Sequence, residues 1–273
     1  TITIADPSGS NADITINVKA PDGSEFTLPA NTESEIENAK LWWPNGFGEQ
    51  NLYTFNIELS ENGQIVDTDS KRIGLRELKL IREKDEWGES FCHEVNGIRF
   101  FAMGADYIPE DNILSRCSKE RTYNLIKQCR DCNFNAIRVW GGGIYPHDYF
   151  FDACDEYGLV VFNDLMFACM VVPSYQSMLD NIEVEIRENL MRLRHHASIA
   201  VISGNNEMEE GQEYWWTFEG QAERKGSYLK VFEQMIPEIV REVCPYIPYV
   251  PSSPSSFGSF VEPRNENYGD CHY

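Results

Sequence analysis

The chain has 273 residues, of which 42% are hydrophobic and 12% aromatic, a composition typical of a globular protein rather than a disordered one. Its formal net charge is −21 and its isoelectric point lies near 4.6, so its surface would repel phosphate backbones and anionic membranes. No apolar run approaches the ~20 residues that span a bilayer. We therefore expect neither a nucleic acid nor a membrane as a partner.

The eight cysteines follow no regular disulfide pattern. Cys129 and Cys132 form a C-x-x-C in a segment of helical pattern, but no second C-x-x-C or histidine pair completes a zinc site. We therefore expect buried or helical thiols, no metal ion and no cofactor. The cysteine usage and the lack of a visible signal peptide at Thr1 favour a reducing, intracellular compartment. A leader upstream of Thr1 would leave no trace in this sequence.

The segment 1–85 is predicted to form an immunoglobulin-like β-sandwich. Hydrophobic and polar residues alternate over 13–19 and 52–59, as in half-buried strands, and helical periodicity is absent from this part. Turn signals separate the predicted strands at Pro21–Gly23, Pro44–Gly46 and Glu61–Gly63. An antiparallel sandwich is the fold class that this pattern favours.

The segment 86–273 is predicted to form a second domain, because short apolar segments now alternate with amphipathic helices, as in a parallel sheet. We predict an incomplete (β/α)8 TIM barrel with about five of the eight strands of a closed barrel. Five strands would leave open edges, so we interpret the chain as a fragment of a longer protein. The predicted strands are Arg99–Met103, Asn135–Trp140, Leu159–Phe162, Ile199–Ile202 and Tyr246–Val250. The predicted helices are Lys119–Cys132, His147–Tyr157, Met178–His196 and Ser227–Val243.

Polar side chains follow the predicted barrel strands at their C-terminal ends, the face where such barrels carry their active sites. The buried strand Ile199–Ile202 runs directly into a small turn and then Asn205, Asn206 and Glu207. A carboxyl group there, with amides beside it, suits a proton donor, so Glu207 is the candidate acid. Arginine and amide groups bind sugar hydroxyls, and aromatic rings cover the sugar's C–H face. The candidate substrate-binding residues are Asn206, Arg138, Trp140, Asp164 and Trp215.

Several of these residues have a purely structural alternative. For Asp164 the alternative is a role as the N-cap of the following helix, and for Trp215 the alternative is a place in the apolar core. Arg138 lies in an apolar strand and must have an acidic partner if it is buried. Glu209 and Glu210 are most simply first-turn acids that a helix dipole favours.

Segments in order along the chain resemble glycoside hydrolase family 2 and, within it, the β-mannosidase branch. The most specific is Ser203–Glu207, because the doubled asparagine before the glutamate is typical of that branch. The segment 41–53 resembles the signature of the family's central sandwich domain, and 95–109 resembles its first barrel strand. Further matching segments are 72–76, 138–145, 152–158, 163–169, 249–254 and 269–273.

The resemblance implies a retaining exo-glycosidase that hydrolyses terminal β-D-mannosyl residues, with a β-mannoside oligosaccharide as its substrate. Glu207 would protonate the leaving oxygen and then, as a base, activate water. Asn206 would bond the sugar's 2-hydroxyl, and Arg138 would orient the nucleophile. The sugar subsite would be lined by Trp140, Asp164 and Trp215.

In that family the nucleophilic glutamate lies on the seventh barrel strand, beyond Tyr273, and an N-terminal domain contributes to the pocket. The partners of this chain would therefore be the missing N-terminal domain and the C-terminal half of the barrel. We expect the chain alone to be inactive, because an acid without its nucleophile completes only half of a double displacement. The nucleophile would raise the pKa of Glu207 in the complete enzyme, and we expect a smaller upward shift without it.

Two alternatives stay open at the level of the sequence. One keeps the mechanism and changes the sugar, giving an exo-β-glucosaminidase or a β-galactosidase of the same family. The other is a non-catalytic carbohydrate-binding fragment, for which Glu207→Gln would leave sugar binding unchanged.

Overall fold

A computed structural model describes residues 12–30 and 33–272. Within these ranges the chain is a mixed α and β protein with two antiparallel sheets and one parallel sheet. The first eleven residues of the predicted sandwich lie outside the described residues. No helix of the described part is long and apolar enough to cross a membrane.

The first sheet is antiparallel, in the spatial order β2-β1-β3-β4. Its strands are β1 (Ala12–Lys19), β2 (Glu25–Pro29), β3 (Tyr53–Glu61) and β4 (Gln64–Ile73). Alternate side chains of β1 and β3, among them Val18 and Phe55, are buried on one face in a small apolar cluster. The alternating pattern of the sequence therefore predicted β1 and β3 correctly.

A second antiparallel sheet contains β5 (Leu78–Ile81), β6 (Cys92–Val95) and β7 (Ile98–Phe100). The turn between β6 and β7 is Asn96–Gly97, with positive φ at both residues, which suits a tight hairpin. Since β5 pairs with β6, this sheet crosses residue 85. The division into domains 1–85 and 86–273 stays a prediction.

The parallel sheet has five strands in plain chain order. They are β8 (Asp106–Tyr107), β9 (Ala136–Val139), β10 (Val160–Asp164), β11 (Ile199–Ser203) and β12 (Tyr249–Val250). The prediction that Arg99–Met103 is the first parallel strand was wrong. Its residues Arg99 and Phe100 belong to β7, and Phe101 is 82% exposed, whereas the first parallel strand is the two-residue β8.

The four predicted helices are all present in the second part of the chain, with different ends, and the short helix Met208–Glu210 was not among them. The helices are α1 (Lys119–Asp131), α2 (Asp148–Tyr157), α3 (Gln176–Leu193), α4 (Met208–Glu210), α5 (Gln221–Tyr228) and α6 (Ile236–Val243). The helix predicted over 227–243 is continuous with α5, but Leu229–Met235 forms wider π-helical turns. Pro237 stands at the start of α6, and it lacks the N–H that an α-helical turn would use.

The parallel sheet is covered on both faces. One face packs in a single apolar cluster with the long helices, through residues such as Val161 and Ile202. The other face, including Val160 and Ala200, packs against the β5–β7 sheet and the fully buried Trp42. Burial on both faces explains why these strands are almost entirely apolar up to their C-terminal ends, where the polar residues begin.

Candidate active site

The polar candidate residues meet at the C-terminal edge of the parallel sheet. Strand β8 contributes Asp106, β9 contributes Arg138 and β10 contributes Asp164. Asn206 and Glu207 lie in the short turn that follows β11. Because parallel strands end at the same edge, residues far apart in sequence become neighbours there.

Arg138 links three of these strands. Its guanidinium Nη2 donates to Asp164 Oδ2 at 2.7 Å and to Asn206 Oδ1 at 2.8 Å. Its Nη1 lies 3.6 Å from Asp106 Oδ1. Only 14% of the Arg138 side chain is exposed. The acidic partner that its burial requires is present twice, as Asp164 and Asp106.

Asp164 is fully buried beneath this edge. Besides Arg138 it accepts a hydrogen bond from the backbone N–H of Gly141 at 3.0 Å. Burial raises the pKa of Asp164 from 3.8 to about 6, against the opposing effect of the Arg138 charge and the Gly141 hydrogen bond. Asp164 does not cap the next helix, because α3 begins at Gln176 and its N-cap is Tyr175.

Glu207 is the N-cap of α4 and the last residue of the turn after β11, and its backbone is left-handed, with φ 61° and ψ 12°. Its N–H donates to the carbonyl of Ser253 at 2.8 Å, which ties it to the segment after β12. Its Oε2 accepts from the thiol of Cys169 at 3.1 Å, and its Oε1 lies 3.1 Å from His272 Nε2. A quarter of the side chain is exposed, so the carboxyl group is held but accessible.

Several effects act on the pKa of Glu207. Burial raises it, whereas the hydrogen bonds from Cys169 and His272, the charge of His272 and a contact with Asn206 lower it, and the lowering effects prevail. The expected upward shift was therefore wrong for the described structure. Cys169 and His272 both stabilise the ionised form, and neither was identified as a neighbour from the sequence.

The two adjacent asparagines of the turn have different contacts. Asn205 is structural: its Oδ1 accepts from the N–H of Met208 and from Ser252 Oγ, and its Nδ2 donates to a backbone carbonyl. Asn206 faces the candidate site, where its Oδ1 accepts from Arg138 and its Nδ2 donates to Cys169 Sγ at 3.5 Å. Each polar atom of the Asn206 side chain keeps capacity for a second hydrogen bond.

The two candidate tryptophans lie in different settings. Trp140 follows β9 and is half-buried. Its ring lies so close to Gly142 that a Cβ on residue 142 would come within 2.1 Å of the ring. Gly142 therefore leaves room for the Trp140 ring. Trp215 ends a π-helical stretch, is 39% exposed, and packs edge-on against Trp216 at a centroid distance of 6.2 Å. Within the described residues, none of the hydrogen bonds or ring contacts joins Trp215 to the Arg138 network.

Three residues of this edge were missed as site residues in the sequence: Asp106, Cys169 and His272. Asp106 is the first residue of β8 and stands opposite Arg138 in the register, but no period in the sequence marks this two-residue strand. Cys169 and His272 reach Glu207 through loops, and no local pattern marks them. Their contacts depend on how separate loops meet above the sheet.

Glu209 and Glu210 do lie in the first turn of α4, as interpreted, but both are buried rather than solvated. Glu209 accepts a hydrogen bond from Ser255 Oγ at 2.7 Å, and burial raises its pKa to about 7. Glu210 forms an ion pair with Arg264. Both carboxylates thus join α4 to the segment after β12.

Comparison with known proteins places this arrangement in a family. The family model described as "Glycosyl hydrolases family 2" matches residues 2–76. A crystal structure of a β-D-mannosidase from Dictyoglomus thermophilum superposes over 96% of this chain with a TM-score of 0.86 and 33% identity. The chain belongs to glycoside hydrolase family 2.

Within that family, the sequence is similar to proteins named β-mannosidase B. The protein from Aspergillus terreus is 38% identical over 221 residues, or 77% of this chain. The protein from Thermothelomyces thermophilus is 39% identical over 247 residues, or 87% of this chain. The chain spans 26% and 29% of the lengths of these two relatives, and 33% of the Dictyoglomus chain.

More distant members share the fold alone. A β-glucuronidase from Bacteroides uniformis superposes over 87% of this chain with a TM-score of 0.69 at 17% identity.

Proposed function

We propose that the polypeptide containing this chain is a retaining exo-glycosidase that removes terminal β-D-mannosyl residues, with Glu207 as its general acid/base. The observation that carries this proposal is the position of Glu207. It is an accessible carboxyl group at the end of β11, directly after an asparagine that Arg138 holds at 2.8 Å. The similarity to proteins named β-mannosidase supports the choice of sugar.

The proposed reaction is a double displacement. Glu207 first protonates the glycosidic oxygen as the bond to the leaving group breaks, while a second carboxylate attacks the anomeric carbon. Glu207 then removes a proton from water, which displaces the sugar from that carboxylate. Because the chain spans 26% of its Aspergillus relative, we propose that the nucleophile lies in the polypeptide beyond Tyr273 and that this chain alone does not turn over.

The remaining residues have proposed roles around the sugar. Asn206 bonds the 2-hydroxyl through its remaining hydrogen-bonding capacity, and Arg138 orients the nucleophile with a charge that Asp164 holds from below. Trp140 and Trp215 provide apolar ring faces to the sugar. Asp164 lies at the base of the subsite, where it is fully buried.

The same proposal extends to the fold of the complete protein. The five parallel strands follow one another in chain order with the helices in one cluster. A (β/α)8 barrel has this strand order, whereas in a doubly wound sheet the strand order reverses at one point. We propose that these strands belong to an incomplete TIM barrel and that the β1–β4 sheet is one layer of an immunoglobulin-like sandwich.

The test is the complete polypeptide with Glu207→Gln, assayed on two aryl β-mannosides that differ in their leaving groups. With a poor leaving group the rate of glycosylation should fall by about 10²–10⁴-fold, because that step needs the proton. With an activated leaving group the same step should fall far less. Glu120→Gln, at an exposed site in the first turn of α1, is the matched control and should leave both rates unchanged.

Equal losses on both substrates, or none, would contradict the role of Glu207. A panel of aryl β-mannoside, β-glucosaminide and β-galactoside tests the sugar, and preference for either of the last two would refute the mannosidase assignment. Turnover by the isolated chain would refute the proposed location of the nucleophile.

A further inference from the structure

A thiol lies directly against the proposed acid/base. Cys169 follows β10, in a segment whose Ala168 bridges to Asn206 of the next strand's loop. Its Sγ donates to Glu207 Oε2 at 3.1 Å and accepts from Asn206 Nδ2 at 3.5 Å. Cys169 is exposed, so its position is not explained by a need to bury the side chain.

The backbone at Cys169 is unusual for this residue type. Its φ is 49°, in the left-handed region that glycine and asparagine adopt most readily. Glu207, to which it donates, has φ 61°. Two left-handed residues that are not glycine face each other across one hydrogen bond, and such outliers are typical of functional sites.

Cys169 is also the last donor in a continuous hydrogen-bonded chain that ends at Glu207. Asp164 holds Arg138, Arg138 donates to Asn206 Oδ1, Asn206 Nδ2 donates to the sulfur, and the S–H donates to Glu207. Each donation polarises the next group in the same direction. On the other side of the carboxylate, Oε1 contacts His272 Nε2.

We propose that Cys169 is a positioning residue for the general acid/base: its thiol fixes one oxygen of Glu207 while His272 holds the other. The inference rests on the proposed function, since it assigns a role to Cys169 only through the proton transfer of Glu207. In this role the thiol acts only on the carboxyl group of Glu207. It limits rotation of the carboxyl group about its terminal bond, so that the proton is presented in one direction.

The charges around the pair agree with a donor role for the thiol. Although the Cys169 side chain is exposed, partial desolvation of its sulfur, the hydrogen bond to Glu207 and the charge of Glu207 raise its pKa to about 11, so at neutral pH the sulfur carries its proton. The other titratable groups that act on the pair are His272, Glu210 and Arg264. The S–H bond lowers the pKa of Glu207, and its loss should therefore move that pKa upward.

The experiment uses the complete polypeptide with Cys169→Gly and Cys169→Ser. Glycine removes the thiol and suits the left-handed backbone, whereas serine keeps a hydroxyl donor at the same position. The control is Cys132→Ala at the exposed C-terminal end of α1. The readouts are kcat/KM on aryl β-mannosides with poor and activated leaving groups, and the pH dependence of kcat/KM.

For Cys169→Gly we expect kcat/KM to fall about tenfold with the poor leaving group and less than about twofold with the activated one, since only the first needs a well-placed proton. The alkaline limb of its pH profile should move to higher pH, because Glu207 then holds its proton more tightly. Cys169→Ser should restore most of the lost kcat/KM and return the alkaline limb most of the way to its original pH. Cys132→Ala should match the unmodified protein.

Three outcomes would overturn the proposal while the proposed function stands: Cys169→Gly matching the control, an equal loss on both substrates, or an unmoved alkaline limb. Failure of the proposed function is recognised separately. In that case the unmodified protein shows no β-mannosidase activity, or its Glu207→Gln variant shows no dependence on the leaving group.

A second measurement does not depend on turnover or on how the Cys169 variants fold. Iodoacetamide alkylates a thiolate, whose sulfur displaces iodide, and mass spectrometry follows the product at Cys169. The neighbouring carboxylate disfavours the thiolate, so Glu207→Gln should accelerate alkylation of Cys169 and leave that of Cys132 unchanged. Equal rates at Cys169 in the two proteins would refute the contact on which the proposal rests.

Discussion

Replacing Asp164 with asparagine should change how stability depends on pH. Burial raises the pKa of Asp164 from 3.8 to about 6 in the folded protein, and one pKa unit corresponds to about 1.4 kcal/mol. The difference is therefore worth about 3 kcal/mol. Because the folded pKa is the higher one, the folded state binds the proton more tightly. The contribution of Asp164 is thus largest below about pH 4 and is lost as the pH rises to about 6.

Asparagine imitates the protonated acid and keeps an oxygen for Arg138 Nη2 and the Gly141 N–H. We expect Asp164→Asn to remove this part of the pH dependence and to raise the free energy of unfolding at pH 7 by up to about 3 kcal/mol. Asp164→Ala leaves Arg138 without its closest partner. It should lower the free energy of unfolding by about 3–5 kcal/mol.

The assay is urea unfolding, followed by far-UV circular dichroism, at several pH values from 4.5 to 7.5 (roughly the window between the two pKa values and just above it). The quantity compared is the fall in free energy of unfolding across this range in the unmodified protein and in the variant. If Asp164→Asn shows the same fall as the unmodified protein, Asp164 is not the group that binds the proton. If Asp164→Ala is as stable as Asp164→Asn, the hydrogen bonds to Arg138 and Gly141 contribute little.

Three further changes test other parts of the structure. Burial raises the pKa of Glu209 from 4.5 to about 7, so stability should fall by about 3 kcal/mol as the pH rises through this range; Glu209→Gln should abolish that fall in urea unfolding. Gly142→Ala would place a Cβ 2.1 Å from the Trp140 ring and should cost about 1–3 kcal/mol; an unchanged Tm would contradict the close approach. Arg76 donates to two carbonyls beside the start of β11, and Arg76→Met should cost about 2–5 kcal/mol in urea unfolding by leaving both without that donor. Arg99→Met, at a solvent-exposed surface ion pair, is its control and should leave the free energy of unfolding nearly unchanged.

Much of the fold could be predicted because buried strands and helices leave recognisable patterns of apolar residues in the sequence. Strands β9 to β11 are apolar on both faces, and the ends of their apolar runs locate the polar edge. The first parallel strand could not be predicted in this way, because a two-residue strand such as β8 has no period. The segment 99–103 is apolar after Arg99 and therefore resembled a buried strand. In the structure Phe101 is exposed, and the N–H of Met103 donates to the side chain of Asn135.

The candidate site was predictable where a residue ends a strand and unpredictable where a loop returns to it. Arg138, Asp164 and Asn206 were found from their positions alone, and the structure brings them within hydrogen-bonding distance. The effect of Cys169 and His272 on Glu207 was not predictable, since it depends on contacts across 38 and 65 residues of sequence. The direction of the Glu207 pKa shift was missed for the same reason.

The shared contacts of Arg138 have a consequence for folding accuracy. Asp106 and Phe162 stand opposite Arg138 in the registers of the two neighbouring strands. A shift of either strand by one residue would turn its side chains to the opposite face of the sheet. Such a shift would carry Asp106 or Asp164 away from the guanidinium. The ion pairs of Arg138 therefore form only when the neighbouring strands are in the correct register. A molecule that has formed this polar edge has also aligned its strands correctly.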